Sequence, residues 1–341
     1  MATTMKAIQY TENTSSYDDL HTVDVERPTS SPGIAVVKVM VSSANPIDFK
    51  VMQGHLKAAG WAMPFPFTIG YDFAGIVESV DEADASSFAV GDEVFAVNWG
   101  QHKHDEGDLP VGGAFAEFIR IPTSKLSKKP PGVSFEEAAA VALVGTTAYQ
   151  ILFDCAQVKE GSKVLILGGA SAVGALAVQL AKARGAWVAT TCSSRTMEYT
   201  SQFGADKIIN YRETKWEDDS ELKNIDAVVD TVGEAGAFGK SKDNGVVAEG
   251  GVFVSIASFD AGIDPSAHAP RLSFGAFYCL KNSPAVQDEL AGMIANGKLK
   301  VCIDKSFPFN GGEGDAQASG ARELLAYQEG GTSCGKNLLT F

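Results

Sequence analysis

Lys163–Leu167 reads KVLIL, Gly168–Gly174 reads GGASAVG, and Ala175–Gly185 continues as ALAVQLAKARG. One lysine followed by four branched apolar residues has the length and composition of a buried strand. The residues after it are small enough for a tight reversal of the backbone. Val173, Leu176, Ala177, Leu180 and Ala181 then recur at intervals of three and four, which predicts a helix over Ala172–Arg184 with one apolar face. A strand, a small-residue turn and a helix start bring backbone N–H groups and the positive end of a helix dipole to one place, which suits a phosphate. Ala170 and Ala172 stand where glycine is usual in G-x-G-x-x-G. Alone, the turn is a weak signal, which a tight strand-to-helix connection also produces, and its surroundings strengthen it.

Those surroundings repeat the pattern. Trp187–Thr191, Lys207–Ile209, Ala227–Asp230 and Val252–Ile256 are candidate strands, and Phe135–Phe153 and Thr196–Phe203 candidate helices, so residues 126–265 alternate as a parallel sheet does. Residues 1–125 instead read as short strands and turns, among them Ile34–Val41, Ala74–Val80 and Glu93–Val97, punctuated by Pro28, Pro32, Gly33, Pro64, Pro66 and Gly70. A helix over Ala285–Asn296 and a strand over Val301–Phe307 return the chain to that first texture. The expectation is a nucleotide-type α/β domain, 126–265, inserted into a β-rich domain formed by 1–125 and 266–341. A length of 341 residues suits two domains of ordinary size.

The composition narrows the function. A net charge of −14 argues against a nucleic-acid partner, which clustered cations would have to hold. No apolar run reaching the ~18 residues of a membrane span is expected, and Met1–Tyr10 shows no targeting pattern, so the expectation is no membrane and a cytoplasmic protein. Five cysteines, none at metal-ligand spacing, suggest neither a disulfide framework nor a structural zinc. His102 and His104 beside Asp105, Glu106 and Asp108 read more simply as an acidic loop than as ligands; no metal is expected.

The second strand of the α/β region bears on the cofactor. A free ribose 2′-hydroxyl is usually met by Asp or Glu about 20 residues after the glycine turn. Here Cys192-Ser193-Ser194-Arg195 follows the strand, with no acid before Glu198. Hydroxyls and a guanidinium suit a 2′-phosphate that a carboxylate would repel, which favours NADPH.

Several blocks then resemble, in order and nearly end to end, the zinc-free quinone oxidoreductase branch of the medium-chain dehydrogenase/reductase superfamily, the zeta-crystallin-like proteins. They are Asn45–Asp48 (NPID), Pro66–Gly75 (PFTIGYDFAG), Gly112–Phe118 (GGAFAEF), Ala138–Tyr149, Gly204–Asp206, Asn210-Tyr211, Asp230–Gly233 (DTVG), Gly297–Leu299 and Gly335-Lys336. The resemblance implies a Rossmann nucleotide-binding domain with a parallel sheet inserted in a β-rich GroES-like catalytic domain, and a homodimer. Zinc-dependent relatives carry a His where this chain has Tyr71 and a Cys near Asn45.

By the same resemblance Gly168, Gly169, Ala170, Ser171, Ala172, Val173 and Gly174 cradle a pyrophosphate, and Ser193, Ser194 and Arg195 hold the 2′-phosphate. Tyr211 lies by the adenosine, and Thr147, Val232, Ile256 and Ala257 flank the nicotinamide, with Ser333 and Gly335 on the far side. For the reacting end the candidates are Asn45, Asp48, Lys50 and Tyr71, with Lys50 stabilising a developing oxyanion and Asp48 alternatively capping a helix. Trp61, Phe65, Phe67, Trp99, Phe274, Phe277 and Tyr278 are expected to supply an aromatic wall. Zinc-free hydride transfer suits an already electron-poor acceptor, so the expected activity is NADPH-dependent quinone reduction. The alternatives are reduction of an enoyl or alkenal double bond, or a non-catalytic, crystallin-like NADPH-binding protein.

Overall fold

The computed structural model describes residues 3–57, 63–84, 87–98, 113–257, 279–309 and 318–341, and the backbone of 272–277. In chain order the first strands are β1 (Thr4–Tyr10), β2 (His21–Glu26), β3 (Ile34–Ser43), β4 (Phe67–Thr68), β5 (Asp72–Ser79), β6 (Glu93–Val97), β7 (Phe118–Pro122) and β8 (Ser127–Lys128). Helix α1 (Pro46–Met52) lies between β3 and β4, and α2 (Phe135–Tyr149) follows β8. Strands and helices then alternate: β9 (Lys163–Leu167), α3 (Ala172–Ala183), β10 (Trp187–Cys192), α4 (Met197–Ser201), β11 (Lys207–Asn210), β12 (Ile225–Asp230), α5 (Ala237–Asp243), β13 (Val247–Ser255) and β14 (Leu272–Phe277). The remaining elements are α6 (Pro284–Ala295), β15 (Ile303–Pro308), α7 (Ser319–Glu329) and β16 (Lys336–Thr340).

Two compact units result. One comprises Met1–Leu143, Lys281–Asn296 and Val301–Phe341; the other comprises Val144–Leu280 and Gly297–Lys300. Both boundaries lie later than the sequence suggests. The first half of α2 belongs to the β-rich unit, where the Ala139 carbonyl oxygen lies 3.2 Å from the Ser43 hydroxyl. At the other end, β14 adds to the edge of the parallel sheet beside β13. Its sequence, LSFGAF, has a central glycine that interrupts the apolar pattern, so the pairing with β13 rather than the sequence identifies the strand.

In the α/β unit the sheet order is β11-β10-β9-β12-β13-β14, all parallel. The chain leaves β9 towards β10 and β11, then returns to β12 on the opposite side of β9. That reversal makes the carboxyl ends of β9 and β12 the natural place for a ligand. Leu165, Leu167, Val228 and Phe253 pack with the fully buried Trp216 in the core beside the sheet. Each such side chain contributes roughly 1.5–3 kcal/mol on burial.

In the β-rich unit the order is β15-β16-β3-β5-β6-β8, with β7 also paired to β3, and a smaller sheet runs β2-β1-β4. The β16–β3 register sets Leu338 opposite Ser43, and the β3–β5 register sets Ser43 opposite Asp72. Three strands distant in sequence thereby bring Lys336, Asn45 and Asp72 together.

One expectation is corrected. The continuous helical segment Phe135–Cys155, whose last turn widens over Gln150–Cys155, is long and apolar enough to cross a membrane by length and composition. Its most apolar stretch is 72% buried inside the protein, as a core helix requires.

Candidate active site

The glycine turn of the α/β unit spends some of its backbone donors and leaves others. Gly168 N–H donates to the Thr191 hydroxyl (3.0 Å) and Gly169 N–H to the Thr191 carbonyl (2.9 Å). Ser171 N–H donates to the Gly168 carbonyl (2.9 Å), and Gly174 N–H to the Ser171 hydroxyl (2.9 Å), which caps α3. The N–H groups of Ala170, Ala172 and Val173 have no acceptor among the described residues. Three donors are thus left at the positive end of α3, in the form a pyrophosphate takes up.

Two glycines are there for space. Gly168 has φ +88°, and a Cβ on it would overlap Val232. A Cβ on Gly174 would overlap the carbonyl oxygen of Gly168, so the helix can approach the turn only without a side chain. The Ser171 hydroxyl also pairs with Thr231 Oγ1 at 2.8 Å, and Thr231 donates onward to the Leu167 carbonyl at 2.7 Å. Ser171, predicted as a phosphate contact, therefore has its hydroxyl engaged within the protein.

The other predicted cofactor residues divide by exposure. Ser194 and Arg195 are exposed at the end of β10, whereas Ser193 is buried and its hydroxyl pairs with Thr196 Oγ1 at 3.2 Å. Ser193 thus shapes the turn that presents its two neighbours. Tyr211 and Val232 are each 52% exposed, and they follow the carboxyl ends of β11 and β12. Tyr211 N–H donates to the Cys192 carbonyl (3.1 Å), which sets it next to the Ser193–Arg195 turn. Ile256 and Ala257 directly follow β13 and are half-buried, while Thr147 is buried on α2.

In the β-rich unit, Ser333 accepts from Asn337 Nδ2 at 3.0 Å. Gly335 has φ +126°, and a Cβ there would press on the Cys302 carbonyl. Phe65 is 40% exposed and Phe67 buried. Trp61, Trp99, Tyr278, residues 102–108, and the side chains of Phe274 and Phe277 lie outside the described residues.

The reacting-end candidates are placed differently from the expectation. Asn45, Asp48 and Tyr71 are 1%, 1% and 0% exposed. Asn45 and Asp48 belong to a sealed polar cluster centred on Lys336, which the sequence offers only within the Gly335-Lys336 block and not as a site residue. Its ammonium donates to the Ala44 carbonyl (2.8 Å), Asn45 Oδ1 (2.6 Å) and Asp72 Oδ2 (3.3 Å). Asp72 Oδ2 also accepts from the Ser43 hydroxyl (2.6 Å) and Asn45 Nδ2 (3.0 Å). With its oxygen and nitrogen both engaged, Asn45 is a brace for α1. Asp48, in the first turn of that helix, accepts the Asn45 N–H at 2.6 Å. Of the four candidates Lys50 alone is half-exposed, and partial burial lowers its amine below the ordinary lysine value.

Two carboxylates face one ammonium in this cluster, so one negative charge lacks a counter-ion. Burial, reinforced by the nearby Asp72 charge, pushes Asp48 from 3.8 up to about 8, against the opposing pull of the Asn45 N–H and Lys336. Burial also raises Asp72 and lowers Lys336, and their mutual attraction opposes both shifts. Because folding raises the Asp48 value, its contribution to stability is full below about pH 4 and is lost as the pH climbs towards 8. Asp48→Asn keeps an acceptor for Asn45 N–H and removes the titration. At pH 8 its melting temperature is expected at least ~3 °C above that of the parent, equivalent to ~1 kcal/mol in a unit of this size. The gap should close towards pH 4; a pH-independent gap in differential scanning calorimetry would contradict this.

Comparison with known proteins agrees with this architecture. The alcohol dehydrogenase GroES-like domain family matches residues 31–131, and the zinc-binding dehydrogenase family matches residues 203–339. A 2-methylene-furan-3-one reductase of Solanum lycopersicum is 31% identical over 90% of this chain and 73% of its own length. An NADPH-dependent alkenal/one oxidoreductase of Arabidopsis thaliana, chloroplastic, is 32% identical over 86% and 72%. The solved quinone oxidoreductase of Coxiella burnetii superposes with a TM-score of 0.80 at 30% identity, over 99% of both chains. With a GroES-like β-rich unit, a parallel Rossmann-like sheet and relatives of this similarity along its length, the chain belongs to the medium-chain dehydrogenase/reductase superfamily, in its quinone oxidoreductase type.

Proposed function

We propose that this oxidoreductase uses NADPH to reduce an electron-poor acceptor, a quinone first and an enone or alkenal second, and that it works as a cytoplasmic homodimer. The observation that carries the cofactor reading is the trio of unspent N–H groups on Ala170, Ala172 and Val173, next to glycines whose Cβ atoms would fill the turn. Bound there, NADPH would supply a hydride. The protein's part is to hold and orient. The α3 terminus and its three donors meet the pyrophosphate, exposed Ser194 and Arg195 meet the 2′-phosphate, and Tyr211 lies against the adenosine. In the β-rich unit, half-exposed Lys50 is the group assigned to an acceptor oxygen as negative charge develops on it. The relatives named for alkenal and methylene-furanone reduction favour keeping the second acceptor class.

The test is NADPH consumption at 340 nm with an ortho-quinone, a para-quinone and a 2-alkenal. Consumption with quinones supports the first reading, faster turnover of the alkenal moves the assignment to double-bond reduction, and tight binding without turnover leaves a binding protein. Arg195→Ala is expected to raise the KM for NADPH at least ~10-fold, a loss of about 1.4 kcal/mol, with little change for NADH. Equal losses for both nucleotides would count against a 2′-phosphate contact.

A further inference from the structure

Two turns in the α/β unit share one anchor. Asp230, the last residue of β12, is 1% exposed. Its Oδ1 accepts three successive backbone N–H groups, from Val232 (3.1 Å), Gly233 (2.9 Å) and Glu234 (3.3 Å). Successive N–H groups converging in this way form a concave anion site, and here the protein fills it with its own side chain. Asp230 Oδ2 accepts the Ser255 hydroxyl at 2.9 Å, and Ser255 Oγ in turn accepts the Ala257 N–H at 3.3 Å. The Asp230 carbonyl also takes the Ile256 N–H at 3.1 Å. Val232 and Ala257, predicted from the family resemblance to flank the nicotinamide, therefore hang on the Asp230 carboxylate, while Ile256 between Ser255 and Ala257 is held by its backbone carbonyl.

We propose that Asp230 is a positioning residue that sets the nicotinamide-side wall of the cofactor site, its carboxylate acting through the Val232–Glu234 turn and, by way of Ser255, through Ala257. The inference rests on the cofactor reading above. The neighbouring Thr231 strengthens it. The Thr231 hydroxyl ties the same strand end to Leu167 and Ser171, so Val232 is held in register with the glycine turn. A site of this kind needs its lining fixed before the ligand arrives, and one buried acceptor for several N–H groups does so without a flexible side chain reaching in.

The experiment compares NADPH with 2′,5′-ADP, which lacks the nicotinamide mononucleotide half. Asp230→Ala is expected to weaken NADPH binding at least 10-fold by calorimetry, while 2′,5′-ADP stays within twofold. In the ligand-free protein, amide hydrogen exchange over 232–234 should accelerate at least 10-fold, with β9 and β10 unchanged. Asp230→Asn, which retains the Oδ1 acceptor, should bring both affinities within threefold of the parent. Should Asp230→Ala not fold, Ser255→Ala reads the same wall through Ala257, with a two- to fivefold loss for NADPH alone. Equal losses for both ligands, or an unchanged NADPH affinity, would overturn the role of Asp230. A parent protein that binds neither nucleotide would overturn the cofactor reading itself.

Discussion

Lys336→Met is expected to lower stability by ~3–5 kcal/mol, or to prevent folding, because it leaves a buried carboxylate without its cation. The ammonium satisfies three oxygens in a sealed site, and methionine satisfies none of them. Loss of the charge also removes the attraction that holds Asp72 down against burial, so Asp72 would be driven to take up a proton. The melting temperature should fall by roughly 10 °C at neutral pH. The control is Asp72→Asn combined with Lys336→Met, which removes both members of the pair. An ion pair deleted whole costs far less than one deleted by half, so the double variant should regain most of the loss. A single variant within ~1 kcal/mol of the parent would show that the ammonium is not the brace of this cluster.

Gly174→Ala is expected to separate cofactor binding from folding. The position lies in the first turn of α3, where alanine would gain about 1 kcal/mol over glycine in helix propensity. The added Cβ would meet the Gly168 carbonyl, a backbone atom that cannot rotate aside. Either the helix start or the turn has to retreat, and the N–H groups of Ala170, Ala172 and Val173 would no longer converge. NADPH affinity should drop at least ~100-fold, about 2.7 kcal/mol, comparable to losing one or two hydrogen bonds to a charged group. Stability by chemical denaturation should change by less than ~1.5 kcal/mol. Affinity kept within threefold would place the pyrophosphate elsewhere.

Both variants touch a glycine or a lysine, yet only the glycine was readable beforehand. The strand KVLIL, the small residues after it and the apolar face of α3 all lie within 22 residues, and the structure has β9 at Lys163–Leu167 and α3 at Ala172–Ala183. Local hydrogen bonding and i, i+4 spacing generate that unit, so its residues announce it. The open donors of Ala170, Ala172 and Val173 follow from the same local geometry, as does the exposure of Ser194 and Arg195 beyond β10.

Lys336 stands in the Gly335-Lys336 block, but nothing in that block marks it as a buried cation. Its partners Asn45 and Asp72 are 291 and 264 residues away along the chain. A lysine near a chain end is ordinarily solvated, and nothing beside it in the sequence says that it is buried. The same gap hid the burial of Asn45 and Tyr71, polar residues in family-like segments that lie next to β3 and β5, with β16 paired to β3. Asp230 stands between the two cases: its place in DTVG was visible, but not the second turn it anchors through Ser255.

The sequence by itself determined the α/β unit, its glycine-rich turn and the family, since each is written in short-range periodicity and in blocks of contiguous residues. Only the tertiary structure decided which polar groups stay open to a ligand and which are spent on one another. That distinction depends on burial and on pairing between strands, and the free energy of a charge hinges on what surrounds it rather than on its neighbours in the chain.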